Sequence, residues 1–197
     1  MFAEAVLLGL LVGALRGGRI TNLAFSNIRG WMLIIVGFLL QMVPALFGRS
    51  GLMDRWGHVI AFLMVLLIVP VVFLNLEKKG FWAVGVGTVL NLIPMLTHGL
   101  RMPILLRSLQ VTGRQEMLTS MKSGAVLNYV GLEHLHGWTS YLGKVIPLPK
   151  FYPLAQVLSV GDLFISLGLF LFIYWEMTSR SSFKSRSQMV SMPYRSY

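Results

Sequence analysis

The sequence predicts an all-α integral membrane helical bundle of about five transmembrane helices, with a cap of short helices and loops on its outer face. Three observations carry this. Hydrophobic residues make up 55% of the 197-residue chain and charged residues 12%, about half the charged share of a soluble domain. The apolar residues fall in runs of roughly 14 to 22, the longest of which reach across a hydrocarbon layer at about 1.5 Å of rise per residue. The net charge of +10 lies between those runs and after the last, where basic residues orient membrane proteins and meet anionic headgroups. That placement names membrane lipids as the partner of the charge and argues against nucleic acid. The chain has no cysteine, which excludes disulfides, thiolate metal sites and a cysteine nucleophile.

Residues 1–178 read as one transmembrane domain with its cap in 97–153, and 179–197 as a basic, flexible C-terminal tail. The first helix is Phe2 to Leu15, short for a span, with its first positive charge, Arg16, after the apolar run and not before it, unlike a secretory signal. Its Gly9, Gly13 and Gly17 recur every four residues and allow a neighbouring helix to approach closely. Arg16, Arg19 and Arg29 flank a polar loop, and Trp31 to Phe47 is the second span, with Gln41 and Pro44 read as an interhelical hydrogen bond and a local kink. His58 to Leu76 is the third and Phe81 to Leu96 the fourth, joined by Glu77-Lys78-Lys79-Gly80. Gly85 and Gly87 fit helix packing. In 97–153 the apolar patches are too short to span. They read as amphipathic helices and loops on the membrane face, with Trp138, Tyr141 and Tyr152 at headgroup level.

The fifth span is Leu154 to Trp175, apolar but for its early residues. Asp162 lies about two turns in, and Ser159, Asp162 and Ser166, at spacings of three and four, share one face of a continuous helix. A carboxylate at mid-membrane costs roughly 2.5–3.5 kcal/mol, so this stripe must face protein or water. With five spans, the first loop, the Lys78-Lys79 turn and the tail fall on one side and carry nine Lys/Arg, against eight spread over longer loops on the other. Short basic loops face the cytoplasm. The expected place is the cell membrane, multi-pass, N-terminus outside and C-terminus cytoplasmic.

Two stretches read together carry a resemblance. They are Asn91-Leu-Ile-Pro-Met-Leu-Thr-His-Gly-Leu-Arg-Met-Pro103, and Tyr141-Leu-Gly-Lys-Val-Ile-Pro-Leu-Pro149 followed by Ser159-Val-Gly-Asp162. The chain resembles a family of small bacterial polytopic membrane proteins known only as a domain of unknown function, from Leu15-Arg16-Gly-Gly-Arg19 to the last span. Members usually read Asn-Gly-Gly-x-Met-Pro where this chain has His98-Gly99-Leu100-Arg101-Met102-Pro103, and Leu-Gly-Asp where it has Leu142-Gly143-Lys144. Ser159-Val160-Gly161-Asp162 matches as it stands. The resemblance implies a membrane protein and brings no activity with it.

The candidate polar pocket consists of Asp162, Ser159, His98, Arg101, Lys144 and Asn91. A second aspartate beside Asp162 would make an acid–base dyad. The favoured reading is a structural polar anchor bonded to Lys144, Arg101 or neighbouring backbone; if Lys144 approaches, the two form an ion pair and Asp162 is a poor general acid. His98 and Arg101 either hold an anionic group against Asp162 or form a helix-ending turn in which Gly99 supplies the left-handed residue, Arg101 snorkels and Met102-Pro103 opens a new helix. The second reading is favoured. Glu133, His134 and His136 are the weak metal candidates, since His-x-His lacks a fixed third ligand. His58 as a haem or pigment ligand is disfavoured because a single histidine near a span end is usually interfacial and unliganded. Phosphate-loop, dinucleotide and nucleophile-elbow motifs are absent. The expectation is a protein with no assigned catalytic residue and no cofactor, an accessory subunit or binding scaffold that meets lipids and partner membrane subunits. The alternatives are a membrane-embedded enzyme or lipid-handling protein with an outer-leaflet pocket around Asp162, and, third, a small transporter.

Overall fold

A computed structural model of the chain describes residues 1–47, 51–123, 126, 128–134, 137–152 and 155–179. Five helices dominate it: α1 (Phe2–Leu15), α3 (Trp31–Phe47), α4 (Gly51–Leu74), α5 (Phe81–Thr97) and α8 (Val160–Thr178), with the short α2 (Ile20–Ala24) between the first two. Two stretches, Trp56–Leu74 and Val160–Thr178, are long and apolar enough to cross a membrane, with mean hydropathies of 2.7 and 1.5. Phe2–Leu15, Trp31–Leu40 and Phe81–Thr97 are apolar but shorter. The expected Gln41 side-chain bond and the kink at Pro44 lie outside the described side chains.

The region between α5 and α8 departs from the helix-and-loop expectation by containing strands. β1 (Met102–Leu105) pairs in parallel with β2 (Tyr129–Leu132), and β3 (Ile146–Pro147) pairs antiparallel with β4 (Val157–Leu158). Between them lie α6 (Leu106–Val111), α7 (Gln115–Lys122) and a 3-10 turn at Trp138–Leu142. Met102-Pro103 therefore does not open a helix, as the sequence suggested. Proline's fixed φ suits an extended segment as well as a helix start. Here the Pro103 carbonyl accepts from Lys144 N at 2.8 Å, on the side of β1 away from β2. Ile104, Leu109, Leu118 and Val157 bury themselves together and give this cap a small apolar core of its own.

The last helix begins at Val160 and not at Leu154. Val157–Leu158 is drawn into β4, and Ser159 becomes the N-cap. The third long helix starts earlier than expected, at Gly51, and ends at Leu74.

α8 sits between α1 and α5, and α4 links α5 to α3 at the edge. Glycine allows the close approach. A Cβ on Gly87 would lie 2.5 Å from the Gly161 carbonyl oxygen, and one on Gly168 would lie 2.7 Å from that of Gly80. These two contacts, seven residues apart on each helix, make α5 and α8 antiparallel with backbones nearly touching. On the other flank Gly9 meets Ile173 and Gly13 meets Met177, so α1 runs parallel to α8. Gly17 takes no part in this packing. It has a φ of 76° and empties the turn after α1, while Gly18 takes the contact with Met177. The main core (Val71, Val72, Phe81, Val84, Phe172, Ile173) closes around an edge-on Phe81–Phe172 pair with centroids 5.2 Å apart.

The bundle has two distinct ends. At one, α5 and α8 enter the cap, and the Tyr152 phenol donates to Glu4 of α1, a contact that raises the phenol above its ordinary pKa. At the other, the loops and the end of α8 are tied together. Arg19 N and Asn22 Nδ2 both donate to the Met177 carbonyl, Asn75 Nδ2 donates to the Arg29 carbonyl at 2.7 Å, and Lys78 pairs with Glu176.

Candidate functional site

Four of the six pocket residues come together where α5, α8 and the cap meet. Ser159 ends an extended segment and caps α8: its Oγ accepts from Asp162 N at 2.9 Å while Asp162 Oδ2 accepts from Ser159 N at 3.1 Å. This reciprocal pair is a capping box with Asp in the third helical position. It places the carboxylate against the positive end of the helix dipole. Asp162 is thus in the first turn of its helix and not two turns in; Ser159, Asp162 and Ser166 are all buried, as the expected polar stripe requires, with Ser159 as its cap. Ser159 precedes the helix, and the buried Ser166 Oγ has no hydrogen-bond partner among the described residues.

Asn91, on the last turns of α5, faces the same cap. Its Nδ2 donates to Asp162 Oδ1 at 3.1 Å and its Oδ1 accepts from Ser159 Oγ at 2.6 Å. The side chain fits because Gly161 lies beneath it, where any Cβ would strike the amide. Lys144 completes the set, with Nζ 2.8 Å from Asp162 Oδ2. Ser159 is fully buried, Asp162 and Asn91 are 7% and 8% exposed, and the Lys144 side chain is 20% exposed.

Three donors converge on the Asp162 carboxylate: Lys144, Asn91 and the Ser159 amide. A buried charge needs such pairing to be tolerated. The arrangement locks the helix start to α5 and to the cap, and it commits the carboxylate to partners inside the fold. General acid or base work requires a group that faces a substrate proton.

His98 and Arg101 take no part in this network. The His98 Nδ1 faces the Pro94 carbonyl at 2.8 Å and its Nε2 faces Ser140 Oγ at 3.4 Å. A carbonyl only accepts, so the Pro94 contact is a hydrogen bond in the tautomer with the proton on Nδ1; Thr97 Oγ1 also lies 3.0 Å from that nitrogen. The residue ends α5 against the 3-10 turn. Gly99 (φ 63°) and Leu100 (φ 61°) both adopt the left-handed conformation there. The helix-ending turn is as expected, with a second left-handed residue added. Among the described residues no hydrogen bond or ion pair joins the Arg101 side chain to Asp162. Glu133 and His134 are exposed, and His136 lies outside the described residues. Among the described residues no three His, Asp or Glu side chains gather as a metal site would require.

Sequence reasoning missed the polar cluster at the opposite end, where Lys78, Glu176, Ser26 and Asn22 meet. Lys78 was legible only as an orienting charge. The signal that could have found the cluster was Glu176, an acidic side chain at the very end of an apolar run.

Fold and site together define a helical protein whose apolar helices are bound at one end to a small αβ cap through a partly buried ion pair. The chain belongs to DUF5317, a family of unknown function, whose sequence pattern matches residues 26–174. It is similar to an uncharacterized protein of Thermotoga maritima, 25% identical over 172 residues, which cover 87% of this chain and 89% of the relative. No solved structure matches.

Proposed function

We propose that the chain is a non-catalytic, multi-pass component of the cell membrane, an accessory subunit or small scaffold. In this reading α1, α3, α4, α5 and α8 are the five spans, with the cap outside and the C-terminus in the cytoplasm. The observation that carries the non-catalytic reading is the Asp162 network, whose polar groups are spent on one another. The membrane reading draws support from the two spanning-length helices and from α3, which turns Met32, Phe38 and Leu39 outward at 64%, 60% and 59% exposure. An apolar face of that extent suits lipid or a partner subunit. An enzyme with an outer-leaflet pocket around Asp162 is less well supported, because His98 and Arg101 do not join it.

Native electrophoresis of gently solubilised membranes tests the role. A discrete complex of fixed composition is the expected result, and migration of this chain alone overturns the subunit reading. Cysteine labelling tests the orientation. Ser50→Cys is expected to react with an impermeant reagent from outside and Ser187→Cys only after permeabilisation; equal outside reaction at both would overturn it.

A further inference from the structure

We propose that the end of the bundle opposite the cap holds a binding site for a zwitterionic group, a primary ammonium joined to a phosphate. A cavity of about 360 Å³ opens there, lined by Asn22, Phe25, Ser26, Lys78, Glu176 and Ser179 among others. Its two charges are of opposite sign and sit 3.3 Å apart, on side chains that are 15% and 23% exposed. A simple anion would meet Glu176, and a simple cation would meet Lys78. A ligand carrying both charges satisfies both.

The hydrogen-bond inventory gives the same polarity. Lys78 Nζ has three N–H donors. Ser26 Oγ and Glu176 Oε1 take two, at 3.1 and 3.3 Å, which leaves one for a phosphate oxygen. Glu176 Oε2 accepts no hydrogen bond among the described residues. Asn22 gives its Nδ2 hydrogens to the Met177 and Ser179 carbonyls, at 2.9 and 3.1 Å, so its Oδ1 remains as an acceptor. Two acceptors thus stand ready for an ammonium that can donate, beside one donor for the phosphate. A quaternary ammonium has no N–H to give and fits poorly.

The same chemistry occurs in a phosphatidylethanolamine headgroup and in free phosphoethanolamine. The lipid is the source favoured by the surroundings, and that choice rests on the membrane reading above. Lys79 Nζ lies 3.6 Å over the half-exposed Trp175 ring beside the cavity, an aromatic–cation pairing typical of headgroup depth. Phe25, 58% exposed at the rim, offers acyl chains an apolar contact.

The test is native mass spectrometry of the full chain, delipidated in mild detergent and offered equal amounts of phosphatidylethanolamine, phosphatidylcholine and phosphatidylglycerol. The expected result is a single retained phosphatidylethanolamine, favoured about tenfold or more over the other two, the worth of one charge-assisted hydrogen bond. Lys78→Gln and Glu176→Gln should each erase that preference, with Glu176→Gln shifting selection toward the anionic phosphatidylglycerol. Lys79→Gln, which removes a neighbouring charge outside the cavity, should leave selection unchanged. Equal retention of all three lipids with no stabilisation by free phosphoethanolamine overturns the proposal, as does an equal loss in Lys79→Gln. Should Lys78→Gln fail to fold, the selectivity switch in Glu176→Gln decides alone. Stabilisation by free phosphoethanolamine without lipid preference keeps the zwitterion site and overturns its lipid source. Release of the chain from membranes by alkaline carbonate would overturn the membrane reading and leave the free-ligand arm standing.

Discussion

Lys144 is held by the cap through its backbone and by α8 through its side chain. Its amide donates to the Pro103 carbonyl at 2.8 Å and its own carbonyl accepts from Leu105 N at 3.0 Å, while Nζ reaches Asp162 Oδ2 at 2.8 Å. One residue therefore joins the β1 edge to the start of the last helix. The ion pair fixes how the cap sits on the bundle, which burial of a few apolar side chains leaves free to slide. Breaking a buried pair from one side leaves a charge without its partner, a cost of about 3–5 kcal/mol when burial is complete. Lys144 is partly exposed, so Asp162→Asn is expected to cost about 2 kcal/mol. Lys144→Met should cost a similar amount, and the double variant much less than the sum. Thermal unfolding in detergent of all four proteins checks this. Additive losses would show that the two residues act independently.

The two serines that flank Asp162 in sequence should behave differently. Ser159 caps α8 and bonds Asn91, so Ser159→Ala is expected to destabilise by about 1–2 kcal/mol. Ser166 Oγ is buried without a partner among the described residues. Ser166→Ala removes that orphan hydroxyl and is expected to be neutral or stabilising. The same unfolding assay separates them. Equal losses would mean that the Ser166 hydroxyl has a partner of its own.

That contrast shows where the sequence was legible. Apolar runs are self-reporting, because burial or lipid exposure acts on every residue of a helix; Phe2–Leu15, Trp31–Phe47 and Phe81–Thr97 were placed to within a residue. A bond from Lys144 to Asp162 was also among those expected of a structural anchor, beside Arg101 or neighbouring backbone. The start of α8 was not. Val157–Leu158 is as apolar as the helix that follows, and only pairing with Ile146–Pro147, remote in sequence, makes it a strand. β1 and β2 were invisible for the same reason, as four-residue segments whose conformation depends on a partner some 27 positions away. His98 and Arg101 were joined to Asp162 only in the less favoured reading; the favoured helix-ending turn is what forms, with Gly99 and Leu100 left-handed and His98 facing Ser140.

The glycine contacts between α5 and α8 give a sharper test of packing. A Cβ at Gly87 meets backbone and the Ile165 side chain, with no flexible side-chain end alone to yield. Gly87→Ala is expected to cost about 1–3 kcal/mol or more through overpacking. Gly37, on α3, has only Leu67 Cδ1 at 4.0 Å. Gly37→Ala should be neutral or stabilising, since alanine is the better helix former by about 1 kcal/mol. Both variants are compared by melting temperature. Tolerance of Gly87→Ala would mean that the two helices stand further apart than their contacts imply.

The cap should come loose without the bundle. Leu109 is fully buried in the cap core against Ile104, Leu118 and Val157, and none of these lies in the α1–α8–α5 seam. Leu109→Ala deletes three buried carbons and leaves a cavity, a change of about 2–5 kcal/mol where the site cannot collapse. The apolar core around Phe81 and Phe172 does not touch that cavity, so the loss should fall on the cap as a local opening unit. Hydrogen exchange reads this directly. Amides of β1 and β2 are expected to exchange faster in Leu109→Ala, while those in the middle of α5 and α8 keep their wild-type protection. The amide of Ser159 is the reporter between the two, because it donates to Asp162. If it stays protected while β1 opens, the ion-paired network belongs to the bundle. Uniform acceleration through α5 and α8 would instead make cap and bundle one cooperative unit, with Lys144 and Asp162 transmitting the loss.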